Sequence, residues 1–214
     1  IIQFDNNIPN KIKKKIDLAI RNSTLIRESV FIFSNGSQIL LSDISDDGIW
    51  CTLIGQGHGK IVIRVLIQLI DKRAYNFVMN INDTLDTNRF RTETNWLISI
   101  GANSTNQKLV EDFGSVWKEN QIFTEEYIPG ETVLQHLERN QAEIASEVYP
   151  DRWQMRWLHF IWNGISAYLE FWKNSGKTQM IADASPRNVI IPEYDYYTGT
   201  RLISISGREK ANSI

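Results

Sequence analysis

The order of periodicities along the chain restricts its fold more than any other feature. Period-two apolar runs dominate as far as Tyr127, a Pro129-Gly130 break follows, and three- and four-residue spacings take over beyond it. Strands segregated from helices in this way predict an α+β fold rather than alternating βαβ units. Residues 30–34 and 38–41 flank Asn35-Gly36, a pair that tolerates positive φ, and predict a hairpin. Residues 48–54, 61–70, 75–81 and 121–127 read as further strands, with Asp71-Lys72-Arg73 as a turn between the second and third. A helix is expected over 88–100, and others over 132–148 and 152–172. In the last, Trp153, Trp157, Phe160, Ile161 and Ile165 recur as a buried helix face requires. Residues 188–192 and 201–206 read as two short strands around a turn-rich segment.

Composition sets the remaining bounds. The 214 residues suit one large domain or two closely packed parts, here divided as 1–128 and 129–214. With 42% hydrophobic and 22% charged residues, a substantial core can form. A net charge of −2 with both signs interspersed gives no footprint for nucleic acid. Lys11, Lys13, Lys14 and Lys15 are a local exception, and Ile12, Ile16 and Ile20 among them predict a helix with a solvated basic face. Cys51 is alone, so an intramolecular disulfide is impossible, which fits a cytoplasmic location. The longest apolar run, 61–70, is interrupted by Arg64 and Gln68 and is too short to span a bilayer, so no membrane partner is expected. A start at Ile1-Ile2-Gln3, with no initiator methionine, reads as a piece of something longer.

Chemistry concentrates in four places. In Ile181-Ala182-Asp183-Ala184-Ser185-Pro186-Arg187-Asn188, a carboxylate and an amide five residues apart open onto an apolar strand. The first can deprotonate a hydroxyl and the second can ligate a hard cation. The spacing resembles the catalytic loop of protein kinases and related phosphotransferases. The segment Glu125-Glu126-Tyr127-Ile128-Pro129-Gly130-Glu131 is similar to the connection between kinase lobes. That resemblance implies backbone contacts from Glu126 and Ile128 to adenine and a reach from Glu131 to the ribose.

Gly55-Gln56-Gly57-His58-Gly59 lies between strand-like runs, where glycines let backbone N–H groups approach phosphates. It resembles the kinase glycine loop, with Gly55, Gly57 and Val62 in place, Gly59 beside them, and Lys60 where the last glycine would stand. Asn80 occupies the place of the lysine expected on the following strand. With-no-lysine kinases carry that lysine in the glycine loop, at the position of Lys60. Lys60 therefore reads either as a relocated phosphate contact or as a solvent-exposed turn lysine, and Glu93 is its candidate acidic partner.

The resemblance implies a two-lobed fold with an antiparallel-sheet N-lobe and a helical C-lobe, the latter incomplete in this chain. It implies ATP and Mg2+ as ligands, with Asp183 as base, Asn188 as metal ligand and Lys60 on phosphate. Two departures stand out: Asn80 in place of lysine, and Leu202-Ile203-Ser204-Ile205-Ser206-Gly207 with no acid where a second metal ligand is expected. A phosphotransferase, a pseudokinase regulating a protein partner or further domains of the same chain, and a non-nucleotide interaction module all remain open. His58, His136 and His159 are too dispersed for a zinc pattern.

Overall fold

The computed structural model describes residues 1–21, 25–57, 59–82, 107–109, 122–142, 146, 150–181, 185–193, 201–202 and 208–210. The chain is α+β and divides into two compact units, Ile1–Ile98 with Asn106–Tyr127, and Ser99–Thr105 with Ile128–Ile214.

The first unit opens with a short strand, β1 (Ile2–Phe4), and two helices, α1 (Asn10–Arg21) and α2 (Leu25–Phe33). Three long strands follow, β2 (Ile44–Gly57), β3 (Lys60–Leu69) and β4 (Ala74–Asn82). Two shorter ones, β5 (Gln107–Leu109) and β6 (Ile122–Glu126), complete a sheet ordered β1-β2-β3-β4-β6-β5. The sheet is mixed, because β1 runs parallel to β2 while the other neighbours are antiparallel. This corrects the expectation of a purely antiparallel sheet: a strand ahead of the helices can return alongside β2 only as an added edge.

The isoleucines of α1 behave as their spacing requires. Ile12, Ile16 and Ile20 are buried, and Lys11 and Lys14 are exposed. α2 overturns the hairpin expected at 30–41. Leu25, Ile26, Ser29 and Val30 are buried together, a helical spacing, and α2 packs against β4 and β6. Asn35 and Gly36 do adopt positive φ, at 55° and 91°, but they end a helix: Gly36 N–H donates to the Phe31 carbonyl at 2.8 Å. The sheet's antiparallel core therefore begins at Ile44 rather than near Val30.

On β3, Ile61, Ile63, Val65, Ile67 and Leu69 are fully buried and alternate with half-buried Lys60, Val62, Arg64 and Leu66. The buried set joins Phe77, Met79 and Ile81 of β4, Ile122 of β6 and the inward residues of α1 and α2 in one core. The helical layer thus covers one face of the sheet, and the strand residues of even number on β3 line the other. The helix expected over 88–100 lies outside the described residues.

The second unit begins with β7 (Gly130–Thr132) and α3 (Val133–Arg139). Thr132 caps α3 reciprocally: its Oγ1 accepts from Gln135 N–H at 3.1 Å, and Gln135 Oε1 accepts from Thr132 N–H at 2.8 Å. A long helix, α4 (Pro150–Asn174), leads to β8 (Gln179–Ile181), which pairs with β11 (Arg208–Lys210). A single turn of 3-10 helix, Pro186–Asn188, then enters β9 (Val189–Pro192). β9 lies between β7 and β10 (Arg201–Leu202), antiparallel to both. Of the two strands expected around residues 193–200, 189–192 pairs with 201–202, and the rest of the second, 203–206, lies outside the described residues.

One expectation for α4 fails. Ile161 and Ile165 are 51% and 49% exposed rather than part of a buried face. α4 packs against β8 and β10, which leaves one of its apolar stripes uncovered. No described helix is long and apolar enough to cross a membrane.

Candidate functional site

The candidate residues of the first unit gather on β2, β3 and β4. Gly57 pairs with Lys60 and Gly55 with Val62, so a two-residue turn closes the hairpin. Gly59 in that turn has φ 76°, which favours glycine. Gly55 is different: a Cβ there would meet only Val62 side-chain atoms, the nearest at 3.5 Å, which is ordinary contact. The surrounding protein therefore does not require glycine at 55.

Register carries the next step. Lys60 stands opposite Asn82, Val62 opposite Asn80, and Arg64 opposite Val78, all on the face away from the helical layer. Arg64 is already committed, since its Nε donates to Asn76 Oδ1 at 3.0 Å and its guanidinium lies 4.4 Å from the centre of the Tyr127 ring. That fixes it as a structural cation of this face.

Asn80 is wholly buried, and its Nδ2 donates to Glu125 Oε1 at 2.8 Å. The carboxylate fixes the amide orientation, because the reverse would set two acceptors against each other. Asn80 Oδ1 has no hydrogen-bond partner. Sequence reasoning missed Glu125 altogether. Its signal was only a second glutamate beside Glu126, and its burial at 5% exposure depends on a partner 45 residues away. Glu126 is half-buried at the end of β6, where it pairs with Phe77.

In the second unit, Ile128 is buried and Glu131 lies on β7 opposite Ile191. Both Glu131 oxygens are engaged. Arg139 Nη2 donates to Oε1 at 2.5 Å and its Nε to Oε2 at 3.1 Å, while buried His136 presents Nδ1 to Oε1 at 2.7 Å. A carboxylate only accepts, so His136 carries its proton on Nδ1. Arg139 above all holds the Glu131 carboxyl below its ordinary range; burial, the next largest effect, opposes it, and His136 adds to the lowering. Oε1 has two donors and Oε2 one, so a ribose hydroxyl would have to reach the remaining lone pair of Oε2.

Asn188 is buried at the end of the 3-10 turn. The turn follows from its residues: Ser185 caps it, with Oγ accepting from Arg187 N–H, and Pro186 presets the first φ. The turn packs against α3 and β7, so the structure brings Asn188 and Glu131 onto neighbouring elements. Asp183, Glu93 and the 203–207 segment lie outside the described residues, as does His58. Among the described residues no group of three or more His, Cys, Asp or Glu could hold a metal ion.

One hollow owes nothing to these residues. It has a volume of about 620 Å³, is lined by Asp46, Asp47, Trp50, Gln68 and Lys72 among others, and lies at the end of the β2–β3 hairpin farthest from the glycine turn. No protein-family model and no curated protein matches the chain.

Proposed function

We propose that this chain is a kinase-like nucleotide-binding domain, with the triphosphate at the glycine turn and Lys60 as its cation. One arrangement supports the reading above the rest. The β2–β3 hairpin sets Lys60 and Val62 on a single face beside Gly55 and Gly57, at a place where the protein itself does not need glycine at 55. Backbone N–H groups and one lysine are what a phosphate chain needs. Val62 on the same face is the residue the resemblance sets over adenine. Register sets Lys60 two positions nearer the glycines than Val62 and four nearer than Arg64.

A second reading, a catalytically impaired pseudokinase, is favoured by Asn80. It is neutral, fully buried and spent on Glu125, so it cannot stand in for a phosphate-binding lysine. The base and metal roles that the resemblance gives to Asp183 and Asn188 belong to the same proposal. A lone amide is a weak site for Mg2+, which usually takes carboxylates, phosphates and water.

Calorimetric titration with ATP and adenosine, each with and without magnesium, separates these readings. Lys60→Ala should weaken ATP by roughly 10- to 100-fold, the worth of one hydrogen bond to a charged group, and leave adenosine nearly unchanged. Metal-dependent ATP turnover supports the phosphotransferase, and metal-independent binding without turnover supports the pseudokinase. No binding of either ligand would refute the nucleotide reading and leave an interaction module.

A further inference from the structure

We propose that the hollow at the far end of the β2–β3 hairpin is a saccharide-binding site, in which a neutral hexose unit stacks on Trp50 and hydrogen-bonds Asp46, Asp47 and Lys72. The volume of the hollow, about 620 Å³, lies within the range of small-molecule sites. One wall is an insertion in a strand. Between the pairs Ile44–Leu69 and Ile49–Ile67, β2 advances from 44 to 49 while β3 moves only from 69 to 67. The surplus residues bulge out of the ladder and carry Ser45, Asp46 and Asp47 to the hollow. The bulge is pinned at several points. Ser45 Oγ donates to the Gln68 carbonyl at 3.1 Å, Gln3 Nε2 to Asp47 Oδ1 at 3.2 Å, and Ile70 N–H to the Asp43 carbonyl at 2.8 Å. Gly48 lies so close to β3 that a Cβ there would strike the Gln68 carbonyl oxygen. The turn after β3, closed by Lys72 N–H on the Leu69 carbonyl at 3.0 Å, supplies Lys72 to the same hollow. Walls fixed before a ligand arrives lose less freedom when it binds.

The lining selects the ligand. Trp50 is 46% exposed, whereas tryptophan is on average highly buried. The Asp46 carboxylate, the Lys72 ammonium, the Gln68 amide and the Trp50 indole make no hydrogen bond or ion pair with another described residue. Acid and base therefore line one hollow without neutralising each other. A cationic ligand would meet Lys72, and an anionic one the two aspartates. Carboxylates only accept and an ammonium only donates, whereas a hydroxyl does both, so a neutral polyol satisfies both sets of groups. The exposed indole adds a flat apolar surface with a negative face. A pyranose ring offers that surface its C–H bonds and keeps its hydroxyls around the edge, where the charged groups stand. The hollow lies at the opposite end of the hairpin from the glycine turn, so this site does not depend on the nucleotide reading.

Saturation-transfer NMR on the full chain tests this with the methyl glycosides of glucose, galactose, mannose and N-acetylglucosamine at millimolar concentration. At least one should receive saturation, strongest at the ring C–H protons that lie on the indole. Trp50→Ala should weaken that glycoside at least about 10-fold, the worth of a lost aromatic platform. Asp46→Asn should weaken it by roughly 10-fold or more, since a hydrogen bond to a charged group is lost. Both positions are exposed, so the unfolding transition of each variant should match the parent, and Lys60→Ala should leave glycoside binding unchanged. Transfer to none of the four glycosides would overturn the proposal, as would transfer that survives Trp50→Ala undiminished. Adenosine or free glycine binding in place of the glycosides, and lost in Trp50→Ala, would overturn it too by giving the hollow a different ligand.

Discussion

Gly130→Ala tests the second unit at its tightest point. A Cβ on Gly130 would lie 2.2 Å from the carbonyl oxygen of Ile191, 3.0 Å from its carbonyl carbon and 3.1 Å from Pro192 Cα. All three atoms are backbone, so no rotamer change can relieve the overlap. β7 would have to move away from β9, and the pairs Gly130–Pro192, Glu131–Ile191 and Thr132–Ile190 would loosen together. Overpacking of this kind costs about 1–3 kcal/mol, and each ladder hydrogen bond lost adds about 1 kcal/mol. The expected loss is therefore roughly 2–4 kcal/mol. Urea unfolding followed by tryptophan fluorescence measures it, and the slope should stay that of the parent if only stability has changed. A loss below about 0.5 kcal/mol, the range of an ordinary surface change, would mean that Gly130 does not lie against Ile191. The consequence reaches the candidate site, because β9 begins at the residue after Asn188.

Three other outcomes are expected. Ser29→Ala should stabilise the chain by about 1 kcal/mol in the same unfolding assay, since Ser29 Oγ is buried without a partner and alanine is the better helix former; destabilisation would show that the hydroxyl has a partner. Cys51, whose thiol is pushed up to about 12 by burial, should resist a thiol reagent at mildly alkaline pH until the chain unfolds, and rapid stoichiometric labelling of the native chain would contradict that burial. Glu131 has a folded-state pKa below the ordinary 4.5, so its contribution is complete above that value and fades as the pH falls through the lowered one. Glu131→Gln should therefore be less stable than the parent at neutral pH, the gap closing in acid below 4.5, and a gap that ignores pH would remove the carboxylate from the account.

Legibility in the sequence follows how local each determinant is. α1 could be read because one face is isoleucine and the others lysine, so a single period decides it. The β3–β4 hairpin could be read because Asp71-Lys72-Arg73 is a local turn, with Lys72 at φ 71°. α2 could not. Its Val30-Phe31-Ile32-Phe33 run has strand propensity, and Asn35-Gly36 fits a hairpin as well as a helix end. Packing of Leu25, Ile26 and Val30 against β4 and β6 overrides both signals.

The candidate site divides on the same line. Alternation along β3 was enough to put Lys60, Val62 and Arg64 on one face, because a pleated strand has a period of two whatever surrounds it. The fate of each side chain on that face depends on residues far along the chain. Arg64 is oriented by Asn76 and Tyr127, and the amide of Asn80 by Glu125. Spacing alone set Asn80 in the lysine's place, whereas the ladder opposes Lys60 to Asn82 and Asn80 to Val62. The distinction has a chemical consequence. A lysine opposite Asn82 stands at the glycine end of β3, whereas one opposite Asn80 would stand two residues farther from the turn and nearer the buried Glu125 carboxylate. A relocated Lys60 is thus compatible with this strand pairing, and the contrast between ATP and adenosine in Lys60→Ala is the measurement that depends on it.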